Sequence, residues 1–230
     1  MSQNNPVITI DGPSGSGKGT IAYSLAEKLG WPLLDSGAIY RVLGLAAQKN
    51  SVTNEQVEQL VELATDLPLE FIADKESGEV LTYLAGEDVS GQIRTDEAGQ
   101  MASRVAVIPE VREALLERQR AFSTKVGLVA DGRDMGTLVF PQAQVKIFLT
   151  ASAETRAKRR YNQLKEKGIN ASLSALLESI HTRDERDKTR SVAPLVPAEG
   201  AFVVDSSLMS KCEVFAQVYD IVAKKMRLDT

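Results

Sequence analysis

Cysteine and histidine are nearly absent from this chain: its 230 residues hold one of each, Cys212 and His181. A lone cysteine excludes a disulfide within the chain. With a lone histidine it also excludes a Cys/His zinc site and a Cys–His nucleophilic pair. Such sparing cysteine use suits a reducing compartment. Long apolar runs are missing too, and none approaches the roughly 20 residues that a membrane span needs. The opening stretch, Met1-Ser2-Gln3-Asn4-Asn5-Pro6, has neither the basic nor the apolar region of a targeting leader, so a cytoplasmic location is expected. There is no excess of positive charge either. The formal net charge is −4, which speaks against a general nucleic-acid binder. Internal repeats and low-complexity segments are also lacking. What is present is a 43% hydrophobic chain, long enough to bury a core as one domain with an insertion or as two small domains.

The most informative stretch is Gly12-Pro13-Ser14-Gly15-Ser16-Gly17-Lys18-Gly19-Thr20. It follows the apolar run Val7-Ile8-Thr9-Ile10 and leads into an amphipathic segment, Ile21 to Leu29. Strand, glycine loop and helix in that order are the context of a phosphate-binding P-loop. Glycines let the backbone curl so that successive N–H groups form an anion nest at a helix N-terminus. Lys18 then sets a point charge near the β and γ phosphates of a nucleotide. Gly19 stands where the usual pattern has Ser or Thr, and the hydroxyl comes one place later, at Thr20.

The rest of the chain alternates strands with helices. Trp31 to Leu34 reads as a second strand, followed by the polar strand-end segment Asp35-Ser36-Gly37-Ala38-Ile39-Tyr40-Arg41. Ligands sit at that edge of an open α/β sheet, and Arg41 is within reach of a phosphate there. Residues 42–67 read as helical with a break at 50–54. Leu69 to Ile72, a turn at Lys75-Glu76-Ser77-Gly78, Val80 to Leu84 and a short strand near Val89 read as antiparallel. We therefore expect an insertion over residues 68–93 between core segments 1–67 and 94–151. Helices resume at 96–107 and from Pro109, a good first-turn residue, to Ser123. Gly127-Leu128-Val129-Ala130-Asp131 has the shape of a strand whose terminal carboxylate helps hold Mg²⁺. Gly132, Arg133 and Asp134 follow it. Val145 to Thr150 and Phe202 to Asp205 complete five main strands, and a terminal helix runs from about Lys211 to Arg227.

Between those last two strands lies a basic segment. Ser152 to Lys167 reads as a helix capped by Ser152, and Ser172 starts another with Leu173, Leu176, Leu177 and Ile180 at helical spacing. From Arg156 to Arg190 there are ten Lys/Arg against five Asp/Glu, a local +5 that leaves −9 on the remainder. Arg183, Asp187 and Arg190 share one face if that helix continues. Beside a P-loop, such arginines suit a lid over residues 152–190 that neutralises transferring phosphate and excludes water, with core resuming at 191–230.

Five separated stretches resemble the bacterial cytidylate kinases, which belong to the nucleoside-monophosphate kinases. They are Ile10 to Thr20, Leu34 to Arg41, Gly86-Glu87-Asp88-Val89-Ser90, Ala130 to Thr137, and Arg183-Asp184-Glu185-Arg186-Asp187. The Gly19-Thr20 pair is itself a feature of monophosphate kinases. The resemblance implies a three-layer α/β fold with an open five-stranded parallel sheet, an antiparallel monophosphate-binding insertion and a short helical lid. It implies γ-phosphate transfer from ATP to CMP or dCMP, giving CDP or dCDP and ADP, with Mg²⁺ entering as MgATP. Residues 12–20 with Arg156 and Arg160 are then expected on ATP. Ser36, Ser103, Arg112 and Asp134 are expected around the pyrimidine, Arg41, Arg133 and Arg190 on the monophosphate, and Arg183 and Asp187 near the ribose. Lys18, Arg133 and Arg190 would carry the catalysis. Thr20, Asp35 and Asp131 would hold the metal, mostly through water.

The chemistry agrees in kind. Asp134 can accept from the exocyclic amine of cytosine, and Arg112 can donate to its ring acceptors; uracil presents a carbonyl to Asp134 instead. In-line transfer needs no covalent intermediate and no strong base, because the acceptor is already an anion. Small-molecule nucleotides are the expected partners, with no nucleic acid, no membrane and a monomeric chain. Two other readings stay open on the residues alone: a P-loop kinase acting on another monophosphate or a small-molecule acceptor, and a nucleotide-binding regulator.

Overall fold

The computed structural model describes residues 5–73, 80–166 and 168–227. The expected turn at Lys75–Gly78, the helix end at Lys167 and the segment Met1–Asn4 lie outside them. The chain begins with β1 (Val7–Asp11), α1 (Lys18–Leu29), β2 (Leu33–Asp35), α2 (Ser36–Lys49) and α3 (Val57–Thr65). It continues through β3 (Leu69–Ala73), β4 (Val80–Leu84), β5 (Glu87–Asp88), α4 (Asp96–Val105) and α5 (Pro109–Arg120). Then come β6 (Leu128–Gly132), β7 (Val145–Thr150), α6 (Ala153–Glu166), α7 (Leu173–Lys188), β8 (Phe202–Asp205) and α8 (Lys211–Met226). A π-helical turn, Met135–Val139, follows β6 closely.

Two compact units divide these elements, one of residues 1–35 with 120–230 and the other of residues 36–119. The first is built on a five-stranded sheet in the order β2-β6-β1-β7-β8. All of its pairings are parallel. Every residue of β1 and β6 is buried, as a parallel sheet covered on both faces requires. Ile21, Ala22, Leu25 and Ala26 of α1 and Val214, Val218 and Val222 of α8 pack with Ile8, Ile10, Val129, Val145 and Ile147 in one core cluster. Their spacing of three and four residues is what puts them on one face of each helix. The outcome for the site is simple: β1, the middle strand, delivers its carboxyl end directly to residues 12–17. Ligands of open α/β sheets sit at such ends.

The second unit holds α2 to α5 and an antiparallel sheet in the order β3-β4-β5. The β3–β4 register runs from Leu69 opposite Leu84 to Ala73 opposite Val80. The strands fall inside 68–93, and the compact unit that carries them extends more widely, from Ser36 to Gln119. The polar segment after β2 is helical: α2 begins at Ser36 itself, so Ser36 to Arg41 form its first turns.

Candidate active site

The turn after β1 can only be made by glycine at its first position. Gly12 has φ 155°, and a Cβ there would lie 2.0 Å from the backbone oxygen of Leu149. The helix that follows starts at Lys18 with Gly17 as N-cap and no side chain capping its first turn. Its leading N–H groups are therefore left to a ligand, and an anion is the ligand they suit. Lys18 donates from Nζ to the Pro13 oxygen at 3.4 Å, and the same nitrogen lies 3.9 Å from Oδ1 of Asp131. Burial, with Arg133 and Arg183 nearby, pulls the Lys18 ammonium down to about 8 against the opposing pull of Asp131 and Asp35. A nucleotide's phosphates would restore the missing negative charge.

Two helices of the basic segment hold this loop from outside. Arg156 of α6 donates from Nε to the Ala151 oxygen and from Nη1 to the Ser14 oxygen at 3.0 Å. Its two terminal nitrogens also form a bidentate pair with Asp184 of α7. Arg159, one turn face away, donates to the Ser16 oxygen at 3.3 Å, to Ser206 Oγ at 3.1 Å and to the Ser206 oxygen at 2.6 Å. Ser206 Oγ lies within donating distance of the Ser16 oxygen, at 3.1 Å, and of the Thr150 oxygen, at 3.0 Å. Arg183 donates to Ser14 Oγ at 3.1 Å. The loop's carbonyls at Ser14 and Ser16 are thus satisfied by arginines, a device that keeps its backbone from turning those oxygens toward an anion.

A second arginine cluster centres on Asp187, which is buried. Arg133 Nε donates to its Oδ2 at 2.9 Å, and Arg190 Nη2 lies 2.9 Å from its Oδ1. Burial alone would raise the Asp187 carboxyl, but Arg133, Arg190 and Arg183 reverse the effect and hold it below the usual carboxylate range. The helix itself ends at Lys188, so Arg190 reaches Asp187 from beyond the helix rather than along its face. Arg160 also lies on α6, and Thr20 sits exposed in the first turn of α1.

The sequence comparisons agree over nearly the whole length. The cytidylate kinase family model matches residues 8–224. The chain belongs to the cytidylate kinase family. Cytidylate kinase of Colwellia psychrerythraea is 57% identical over 95% of this chain and 96% of its own length. That of Photobacterium profundum is 58% identical over 98% of each chain, and that of Pasteurella multocida 58% identical over 97% of each.

For a cytidylate kinase the position of the carboxylates is telling. Asp35 and Asp131 are direct neighbours in the β2–β6 register, at the carboxyl ends of both strands. Among the described residues no group of three or more His, Cys, Asp or Glu side chains could hold a metal ion by itself. One or two carboxylates that share Mg²⁺ with a substrate's phosphates fit that donor set, and Mg²⁺ is commonly bound so. Gly19 adds to the fit: a Cβ there would stand 3.1 Å from Oδ2 of Asp131. A larger residue after Lys18 would need that carboxylate to shift by a few tenths of an ångström.

Three of the pyrimidine candidates, Ser36, Ser103 and Arg112, and the monophosphate candidate Arg41 lie in the second unit, whereas the fourth, Asp134, is buried in the first. Ser36 Oγ donates to Oε1 of Gln119 at 2.6 Å, both residues being buried. Arg112 donates to the Ala106 oxygen and stands 5.6 Å over the Tyr40 ring. Ser103 is buried in α4 and Arg41 half-buried in α2. Three residues of these networks lie in none of the sequence motifs: Gln119, Arg159 and Ser206. Only their distant partners reveal them, because each acts across a separation of 47 to 190 residues.

Proposed function

We propose that this chain transfers the γ-phosphate of ATP to CMP or dCMP, producing CDP or dCDP and ADP. The observation that carries the reading is the cytidylate kinase match over residues 8–224. In this reading residues 12–20, Arg156 and Arg160 take ATP, with Lys18 beside the phosphates that react. Arg41, Arg133 and Arg190 hold the acceptor monophosphate. Ser36, Ser103, Arg112 and Asp134 read the pyrimidine, and Arg183 and Asp187 address the sugar. Asp131, with Asp35 and Thr20 through water, would hold Mg²⁺, which when bound neutralises phosphate charge.

Catalysis then consists of positioning two anions and offsetting their repulsion, with Lys18, Arg133 and Arg190 as the cations at the reacting groups. The acceptor oxygen is already ionised at neutral pH, so no general base is assigned. We place the activity in the cytoplasm and on a single chain. A coupled assay of ADP formation with ATP and a panel of CMP, dCMP, UMP and non-nucleotide acceptors tests the reading. CMP-dependent turnover well above that with non-nucleotide acceptors is expected; turnover with no dependence on CMP or dCMP overturns it.

A further inference from the structure

Asp11, the last residue of β1, occupies a position that is unfavourable for a carboxylate. It is 3% exposed. Burial, with Asp134 and Asp131 as like-charged neighbours, raises its carboxyl to about 7 in spite of two hydrogen bonds. Those bonds are specific. Oδ1 accepts from the Met135 N–H and Oδ2 from the Gly136 N–H, both at 2.8 Å. Among the described residues Asp11 has no ion pair with a lysine or arginine. Gly136 makes the approach possible, since a Cβ there would stand 2.9 Å from Thr9 Oγ1 and 3.4 Å from Asp11 Oδ2. A buried carboxylate bonded to two backbone amides, with the Arg133 guanidinium near enough to be felt but not paired with it, calls for a reason.

The reason lies in what those amides are. Met135 and Gly136 open the π-helical turn Met135–Val139, so their N–H groups have no acceptor within it. The residue placed to cap them is Asp134, the N-cap by position, and aspartate is among the residues that most readily bond to following amides. Yet the Asp134 side chain makes no capping bond. Asp11 supplies both acceptors from the neighbouring strand, where it lies opposite Gly132 in the β1–β6 register.

We infer that Asp11 is a positioning residue for acceptor recognition: by capping the 135–139 turn from β1, it keeps the Asp134 carboxylate off those amides and directed to the cytosine amine. This rests on the proposed role of Asp134 in reading the base. It also ties the two sides of the reaction, since Asp11 is bonded through its backbone to Gly12 of the ATP loop and through its carboxylate to the segment that bears Arg133 and Asp134. The Asp11 carboxylate is taken up by protein amides, and no substrate contact is assigned to it.

Removing the cap leaves two orphan amides beside Asp134, and that carboxylate then has a competing partner. The test measures kcat/KM for CMP and for UMP at saturating ATP in Asp11→Ala, Asp11→Asn and Asp134→Ala. Asp11→Ala should lower the CMP-over-UMP ratio by about tenfold or more, the range in which a misplaced buried polar group affects discrimination, while KM for ATP changes little. Asp11→Asn keeps one acceptor oxygen and should lower the ratio less; it carries the test if the alanine variant does not fold. A general structural role would depress both acceptors equally. An unchanged ratio in the Asp11 variants, with the ratio collapsed in Asp134→Ala, overturns the inference alone. An unchanged ratio in Asp134→Ala overturns the base-reading role and the inference with it.

Discussion

Lys18 and Asp11 sit on either side of the same glycine turn, and burial pushes both toward their neutral forms. For Lys18 the folded value, about 8, lies below its ordinary 10.5. Its contribution to stability is therefore present above the unfolded value and lost as pH falls through about 8, so at neutral pH the ammonium weighs against the nucleotide-free fold. Two outcomes follow. Replacing Lys18 by Met should cut kcat by about a thousandfold or more and leave CMP binding mostly intact, as steady-state kinetics and calorimetric titration would show. The same variant should melt higher than the parent at pH 7.5 without nucleotide, by about 2–4 °C per kcal/mol of relief in a chain of this size. In the parent, ATP affinity should weaken as pH rises through about 8, where Lys18 loses its proton; a fluorescence titration across pH 7 to 9.5 checks this, and the Met variant should show no such limb. In the proposed function Arg183 and Asp187 address the sugar. Truncating either should change the CMP-to-dCMP preference by several-fold, and an equal loss on both substrates would assign them to phosphate or to structure instead.

At the level of elements, α6 and α7 are held by polar contacts more than by a core. The only residue of α7 that is buried is Asp187. Its apolar positions Leu176, Leu177 and Ile180 are only half-covered, and Leu173 is exposed. A helix with so little buried apolar surface opens at low free energy. Amide exchange should therefore run faster in α7 than in α1, whose Ile21, Ala22, Leu25 and Ala26 lie in the core cluster. Bound ATP and CMP should slow α7 more than α1. Arg159 offers a sharper test, because it anchors the Ser16 carbonyl and Ser206 together. Arg159→Ala should raise KM for ATP by about tenfold, the scale of losing charge-assisted hydrogen bonds, and should leave KM for CMP nearly unchanged. The strand and helix positions were legible in the residues, since apolar spacing and glycine or proline boundaries mark them locally. The arginine network was not. Arg159 sits between Lys158 and Arg160, and nothing local separates the arginine that anchors the loop from the exposed Lys158 or the half-buried Arg160.

Over the whole molecule, −4 of net charge hides a basic segment of +5 between Arg156 and Arg190. Much of that segment's charge meets carboxylates and loop carbonyls of its own unit, as the Arg156–Asp184 and Arg190–Asp187 pairs and the bonds of Arg156 and Arg159 to the loop show. Ligands that add phosphate to these cations should stabilise the fold by mass action. At a hundred times its dissociation constant, ATP is expected to add about 2.7 kcal/mol, readable as a rise in melting temperature. The alternation of strands and helices, the P-loop and the family could be read from the residues alone, because each is written in contiguous stretches whose chemistry is local. It took the folded chain to show that β1 is the middle strand, that Arg156 and Arg159 secure the loop's carbonyls, and that Asp11 caps a turn 124 residues away. Those choices depend on which strand ends and helix faces meet, and burial makes each of them specific by leaving a buried donor or acceptor one partner within reach.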